Sequence, residues 1–159
     1  DLQLQFPHAL VYGRPDRVDE HEDGLFVIDF KSSSQLPNGK EMVEQGYRLQ
    51  LPFYALAVGQ KYGRPVLGAQ FVQLNSKGSR SVGVFSEHYN GKALGNLTHT
   101  RSKLNIFNDL GAAWAQARGQ IESALGDYSS AKYSASPRNL LECRLCSYRD
   151  LCGERRRSV

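Results

Sequence analysis

No stretch of this 159-residue chain approaches the eighteen or so consecutive apolar residues of a membrane span, and no charged-then-apolar leader opens it. Cysteine is scarce. The three present are an odd number confined to the last seventeen residues, which excludes a disulfide framework and points instead to a metal or cluster site. The chain also lacks an initial methionine and opens directly in Leu2-Gln-Leu-Gln-Phe6, as expected of a piece of a longer protein. A soluble, cytoplasmic protein with no membrane partner is the expectation. The excess of one charge is small, +4 with a pI near 9.0, and is compatible with nucleic acid without requiring it. What is abundant is apolar: 40% hydrophobic and 10% aromatic residues argue against disorder, and the length suits one domain with a real core.

The stretch from Asp16 to Lys31 organises the rest. Asp23-Gly24 between two apolar-rich runs is a strong short-range signal for a type I′ hairpin. With those two residues as the loop, Val18 lies opposite Asp29 and Asp16 opposite Lys31. Opposed residues share a face, as do residues two apart on one strand, so Asp16, Asp29 and Lys31 gather on one side. Arg17, Asp19, Ile28 and Phe30 point the other way. Covering two adjacent carboxylates is costly unless a cation pairs with them. Mg²⁺ or Mn²⁺ suits such an oxygen set and leaves room for waters and a substrate phosphate, with Lys31 placed to orient a water or offset charge at phosphorus. The chemistry suggested is phosphodiester hydrolysis. The competing reading is an ordinary Asp-Lys ion pair on a surface hairpin, worth little.

Elsewhere the pattern predicts a strand at Leu2–Phe6, another from Leu10 to His21 with Pro15 interrupting its ladder, and a central strand over Leu25–Lys31. A helix is expected over 41–62, with Pro52 either kinking it or marking a late start near Leu49. On it Tyr47, Gln50 and Tyr54 share a face, where an amide and a phenol can reach a phosphate or a base edge, or simply sit at a solvent boundary. Val66–Leu74 and Ser81–Phe85 read as an antiparallel pair. Phe107, Leu110, Trp114, Ala117, Ile121 and Leu125 give one buried stripe on a helix over 103–125 that Gly126 should end. His88 and His99, in a polar stretch, are assigned no chemistry. The tail carries Cys143, Cys146 and Cys152, three thiolates where zinc and iron–sulfur centres want four protein ligands, followed by three arginines.

Taken together, Gly13-Arg-Pro-Asp16-Arg-Val-Asp19, Ile28-Asp29-Phe30-Lys31-Ser32, Leu49-Gln50-Leu-Pro-Phe-Tyr54 and the spaced cysteines resemble the RecB/AddB-type nuclease domain of the PD-(D/E)XK superfamily. The resemblance implies an α/β fold, a central mixed β-sheet flanked by helices with a restriction-endonuclease-like core at 1–128, followed by a linker and cysteine tail at 129–159. It implies Asp16 and Asp29 as metal-binding carboxylates, Lys31 as catalytic lysine, and Gln50 with Tyr54 as the Q-x-x-x-Y motif beside the scissile strand. Cys143, Cys146 and Cys152 match three of four [4Fe–4S] ligands, the fourth lying outside this chain. The implied activity is a Mg²⁺-dependent DNA exonuclease in a recombination or repair helicase–nuclease, with a helicase domain or subunit as partner and single-stranded DNA at the site. Pro15 replaces the family's usual aliphatic residue, and the upstream helix that in some members supplies another metal ligand is not in this sequence, so weak cleavage by these residues alone is expected. The rival from another class is a DNA-binding or cluster-stabilised scaffold that kept the fold without the chemistry.

Overall fold

The computed structural model describes residues 1–32, 36, 38–46, 48–75, 78–87, 103–132, 143 and 146–148. Two short strands, β1 (Leu2–Gln5) and β2 (Leu10–Gly13), form an antiparallel hairpin closed by Phe6 N donating to Ala9 O at 2.9 Å. The period-two pattern of β1 buries Leu2 and Leu4 and exposes Gln3 and Gln5. Arg14-Pro15-Asp16 then interrupts the extended chain, because Pro15 has no N–H for a ladder. The strand expected from Leu10 to His21 is therefore two, Leu10–Gly13 and Arg17–His21.

After the break, β3 (Arg17–His21) and β4 (Gly24–Lys31) form the second hairpin. Its register pairs Arg17 with Ile28 and His21 with Gly24, so the loop is Glu22-Asp23 and not Asp23-Gly24. The expected pairings of Val18 with Asp29 and Asp16 with Lys31 are thereby corrected: Val18 faces Val27. Gly24 lies outside the positive-φ region that a type I′ turn would demand of it. Its role is close approach, since a Cβ there would sit 2.4 Å from Pro65 O and 2.7 Å from Leu67 Cγ. The slip is of two residues, and an even slip leaves every side chain on its expected face.

A five-stranded mixed sheet follows in the order β3-β4-β5-β6-β7. Between β4 and its parallel neighbour β5 (Val66–Asn75) the chain crosses through α1 (Gly39–Glu44) and α2 (Gln50–Tyr62). The single helix expected over 41–62 is thus two, separated where Gly46 and Arg48 both take positive φ. Pro52 falls in the first turn of α2, where its missing N–H costs least, so the late start near Leu49 is what the chain adopts. Gly63, at φ +63°, caps the far end. β6 (Gly78–Ser86) returns antiparallel to β5, and β7 (Lys103–Phe107) lies parallel to β6.

The strand β7 replaces the expected first turn of the last helix. Leu104 and Ile106 alternate with polar residues, and Asp109 resets the chain by accepting a hydrogen bond from Ala112 N at 2.8 Å, the cap that starts α3 (Leu110–Ser129). Gly126 does not end α3, since an isolated glycine costs only about 1 kcal/mol in a helix. The stripe itself is real: Leu110, Trp114, Ala117 and Ile121 are buried, and Trp114 donates its indole N–H to Val66 O at 3.1 Å. The core gathers β1, α1, α2 and α3 residues on the sheet face carrying Leu25, Val27, Ala69 and Phe71. Two compact units are distinguished, Asp1–Gly126 and Asp127–Val159.

Candidate active site

Six consecutive residues of β4, Gly24 to Asp29, are buried, so the strand delivers Asp29 into the interior at its last covered position. Asp29 is 3% exposed. Its Oδ2 lies 2.5 Å from Lys31 Nζ, yet no well-aligned hydrogen-bond donor meets that oxygen among the described residues. Burying a carboxylate charge is costly; the Lys31 ammonium offsets part of that cost, and a divalent cation is a further partner that would offset more.

Lys31, two residues on and on the same face, is fixed from three sides. Besides Asp29, its ammonium donates to Gln50 Oε1 at 2.8 Å and sits 5.1 Å above the centre of the Phe71 ring. Phe71 is the β5 residue directly beside Asp29 in the parallel ladder. Gln50 opens α2 and passes the contact onward, its Nε2 donating to Tyr54 Oη at 2.9 Å, one helical turn away. Asp29, Lys31, Gln50 and Tyr54 thus form a continuous polar chain. The crossover helix supplies half of it, and no register count on the hairpin reveals that link.

Asp16 reaches the same strand end by another route. One of its carboxylate oxygens accepts the backbone N–H of Phe30 at 2.7 Å, substituting for the ladder bond that ends at the Pro15 break. Continuing the register count brings Asp16 level with Asp29. Asp16 is exposed where Asp29 is buried, which leaves one carboxylate open toward solvent and one at the floor. Arg17 is no competitor for it: its guanidinium, raised above its ordinary value by the hydrogen bond to Asp19 and that carboxylate's charge, pairs there at 2.6 Å. Two carboxylates of unequal burial, backed by an ammonium, are hard oxygen ligands suited to Mg²⁺ or Mn²⁺.

Of the other expected residues, Tyr47 and Cys152 lie outside the described residues, as do His88 and His99. Cys143 and Cys146 carry free thiols on a turn closed by Cys146 N to Cys143 O at 3.4 Å. At the hairpin tip His21, Glu22 and Asp23 hold ligand atoms within 4.8 Å of one another, a grouping sequence reasoning passed over. It sits at the opposite end of β4 from Asp29, and Arg64 binds the adjacent Glu20 carboxylate and the carbonyls of His21 and Glu22.

Lys31→Met provides a direct check of this geometry. Removing the ammonium leaves the Asp29 charge without its ion-pair partner, which is expected to lower stability by about 1–2 kcal/mol, discounted because Lys31 is partly exposed. Mn²⁺ should bind the variant several-fold more tightly than wild type, since the competing cation has gone, while cleavage falls. Calorimetric titration and a melting curve with and without Mn²⁺ measure both.

The mixed sheet thus brings two carboxylates and a lysine to the end of an internal strand. The family model of the PD-(D/E)XK nuclease superfamily matches residues 2–153, and this chain belongs to that superfamily. No match is found among curated proteins. Among solved structures, the crystal structure of SSO0001 is similar over 95% of this chain and 55% of that one, at 15% identity and a TM-score of 0.38. The chain therefore spans little more than half the length of that structure.

Proposed function

We propose that this chain is a divalent-metal-dependent DNA exonuclease module acting on a single strand, working beside a helicase in recombination or repair. The observation that carries the reading is the buried Asp29 carboxylate, with an oxygen that lacks an aligned donor, next to a lysine whose position is fixed by the Gln50–Tyr54 pair. Asp16 and Asp29 are the residues that would hold the metal. When bound, it would polarise a phosphoryl oxygen and make a water more acidic.

The chain's own residues divide the remaining work. An ammonium has three donors; one of those of Lys31 goes to Gln50, and its charge is paired with that of Asp29. A remaining donor is left to meet a phosphate oxygen as negative charge develops there. Gln50 accepts from Lys31 and donates to Tyr54, so it holds the ammonium's direction without itself gaining or losing a proton. Asp16, tied to Phe30 N through one oxygen, is held at a fixed height by the backbone of the strand that carries Asp29.

Gln50→Leu is expected to leave folding intact, because Gln50 is exposed, and to reduce cleavage about tenfold by freeing the Lys31 head group. Comparing kcat with melting temperature separates the two effects. Exonuclease action is tested with linear and circular single-stranded DNA in Mn²⁺: linear strands should shorten while circles persist. Equal cutting of circles would turn the reading to an endonuclease. If no Mn²⁺ or Mg²⁺ binds and Asp16 and Asp29 substitutions change nothing, the scaffold alternative takes its place.

The cysteines support a second element of the proposal. Cys143, Cys146 and Cys152 are offered as three thiolates for a [4Fe–4S] cluster whose fourth ligand lies outside this chain. Iron and sulfide content after anaerobic reconstitution of the parent protein, and of its Cys146→Ser variant, checks it.

A further inference from the structure

The Gln50–Tyr54 pair has a second side. It forms the polar edge of a groove of about 380 Å³ whose apolar walls are Val11 from β2, Leu49 just before α2, Phe53 from α2, and Ile121 and Leu125 from α3. Tyr12 stands at this groove, 65% exposed and with no ring or hydrogen-bond partner among the described residues. Its volume is near the low end of small-ligand sites, roughly 300–1,000 Å³. That suits one or two flat groups and not a folded segment.

We propose that this groove receives a nucleobase of the DNA single strand, stacked on Tyr12, while the strand's backbone continues to Lys31. The inference rests on the nuclease reading above. Two observations select a nucleotide over other occupants. The groove shares Gln50 and Tyr54 with the polar chain to Lys31 and Asp29, so whatever fills it is in register with the candidate active site. Arg14, two residues past Tyr12 and exposed, has no carboxylate partner among the described residues and supplies a cation for a phosphate. An exposed aromatic with an exposed cation two residues on along the chain is a combination that suits single strands, and an apolar peptide would have no use for the charge.

The same geometry defines the specificity. The Gln50 amide accepts from Lys31 and donates one N–H to Tyr54, so its orientation is set by these two residues and not by a base edge. Recognition falls to stacking and apolar contact, which every base can satisfy, and the groove accepts any sequence while requiring an unpaired base.

The experiment uses fluorescently labelled single-stranded oligonucleotides with the full chain in EDTA, so that no cutting intervenes. Tyr12→Ala removes the stacking face, and Ala124→Phe, at an exposed position lining the groove, fills it. Each should raise Kd about tenfold. One abasic position in the oligonucleotide should weaken wild-type binding by a similar factor and leave Tyr12→Ala unaffected. Both positions are exposed, and a melting curve confirms folding. Wild-type affinity in both variants overturns the groove proposal, even where Asp29→Asn still abolishes metal-dependent cleavage and so leaves the nuclease reading standing. A wild-type chain that binds no single strand overturns both. If Ala124→Phe changes only the sedimentation behaviour, the groove accommodates a second copy of the chain and the proposal fails.

Discussion

Asp29→Asn is expected to abolish the stabilisation of this chain by Mn²⁺ and to lower cleavage by about 100-fold or more. The substitution keeps the shape of a side chain that is 3% exposed and removes only its charge. Without metal the variant should melt close to wild type: the ion pair with Lys31 that is lost is offset by no longer burying the carboxylate charge, and Lys31 keeps Gln50 as acceptor. With metal the two should separate. Binding at a hundredfold excess over Kd contributes about 2.7 kcal/mol, which for a domain of this size raises Tm by roughly 5–10 °C. Wild type should show that rise and Asp29→Asn none. A carboxylate that served only the fold would give the opposite result, a loss of stability in the absence of metal and no dependence on Mn²⁺ afterwards. Asp16→Asn should also weaken binding, but Asp16 is exposed and keeps an oxygen to accept Phe30 N, so some stabilisation by Mn²⁺ should survive.

That asymmetry between Asp16 and Asp29 was beyond what the sequence could express. Alternation along two strands places both carboxylates and Lys31 on one face, and this parity survives a misplaced turn because the register slips by two residues. The turn itself was misjudged because Asp-Gly reads as backbone geometry, whereas Gly24 answers to the carbonyl of Pro65, forty-one residues away. Local patterns carry no information about such an approach. The same limit explains β7: Phe107 fits the periodic stripe that continues at Leu110 and Trp114, and only the Asp109 cap and pairing with β6 separate strand from helix. The break at Gly46 and Arg48 was half visible, since Pro52 demanded a late start but nothing announced two positive-φ residues before it. By contrast, the spacing of Gln50 and Tyr54 placed them on one face of a helix, and they are hydrogen-bonded there. What spacing did not contain was the third partner, because Lys31 arrives from a strand nineteen residues earlier.

Gly13 exposes how much of that arrangement depends on the first hairpin. It is the last residue of β2, and a Cβ at this position would lie 2.5 Å from Phe53 Cε1 and 2.6 Å from Tyr54 Cε1. Both rings are nearly buried on the first turns of α2, so neither can swing clear without disturbing the core. Gly13→Ala should therefore destabilise the chain by about 1–3 kcal/mol, the range for overpacking, and lower Tm by roughly 2–12 °C. Its second effect is the more telling. Displacing Tyr54 takes the hydroxyl away from Gln50 Nε2, and with it the hold on Lys31, so cleavage should fall further than the loss of folded protein explains. Phe53→Leu should relieve part of the strain, and Gly13→Ala combined with Phe53→Leu should recover stability before it recovers activity, because the Tyr54 ring still meets the new methyl. Tyr54→Phe supplies the comparison: it keeps the ring and its packing, removes only the hydroxyl, and should reproduce the cleavage loss of Gly13→Ala at near wild-type Tm. If Gly13→Ala and Tyr54→Phe instead cleave at wild-type rates per folded molecule, the polar chain from Asp29 to Tyr54 plays no part in orienting Lys31.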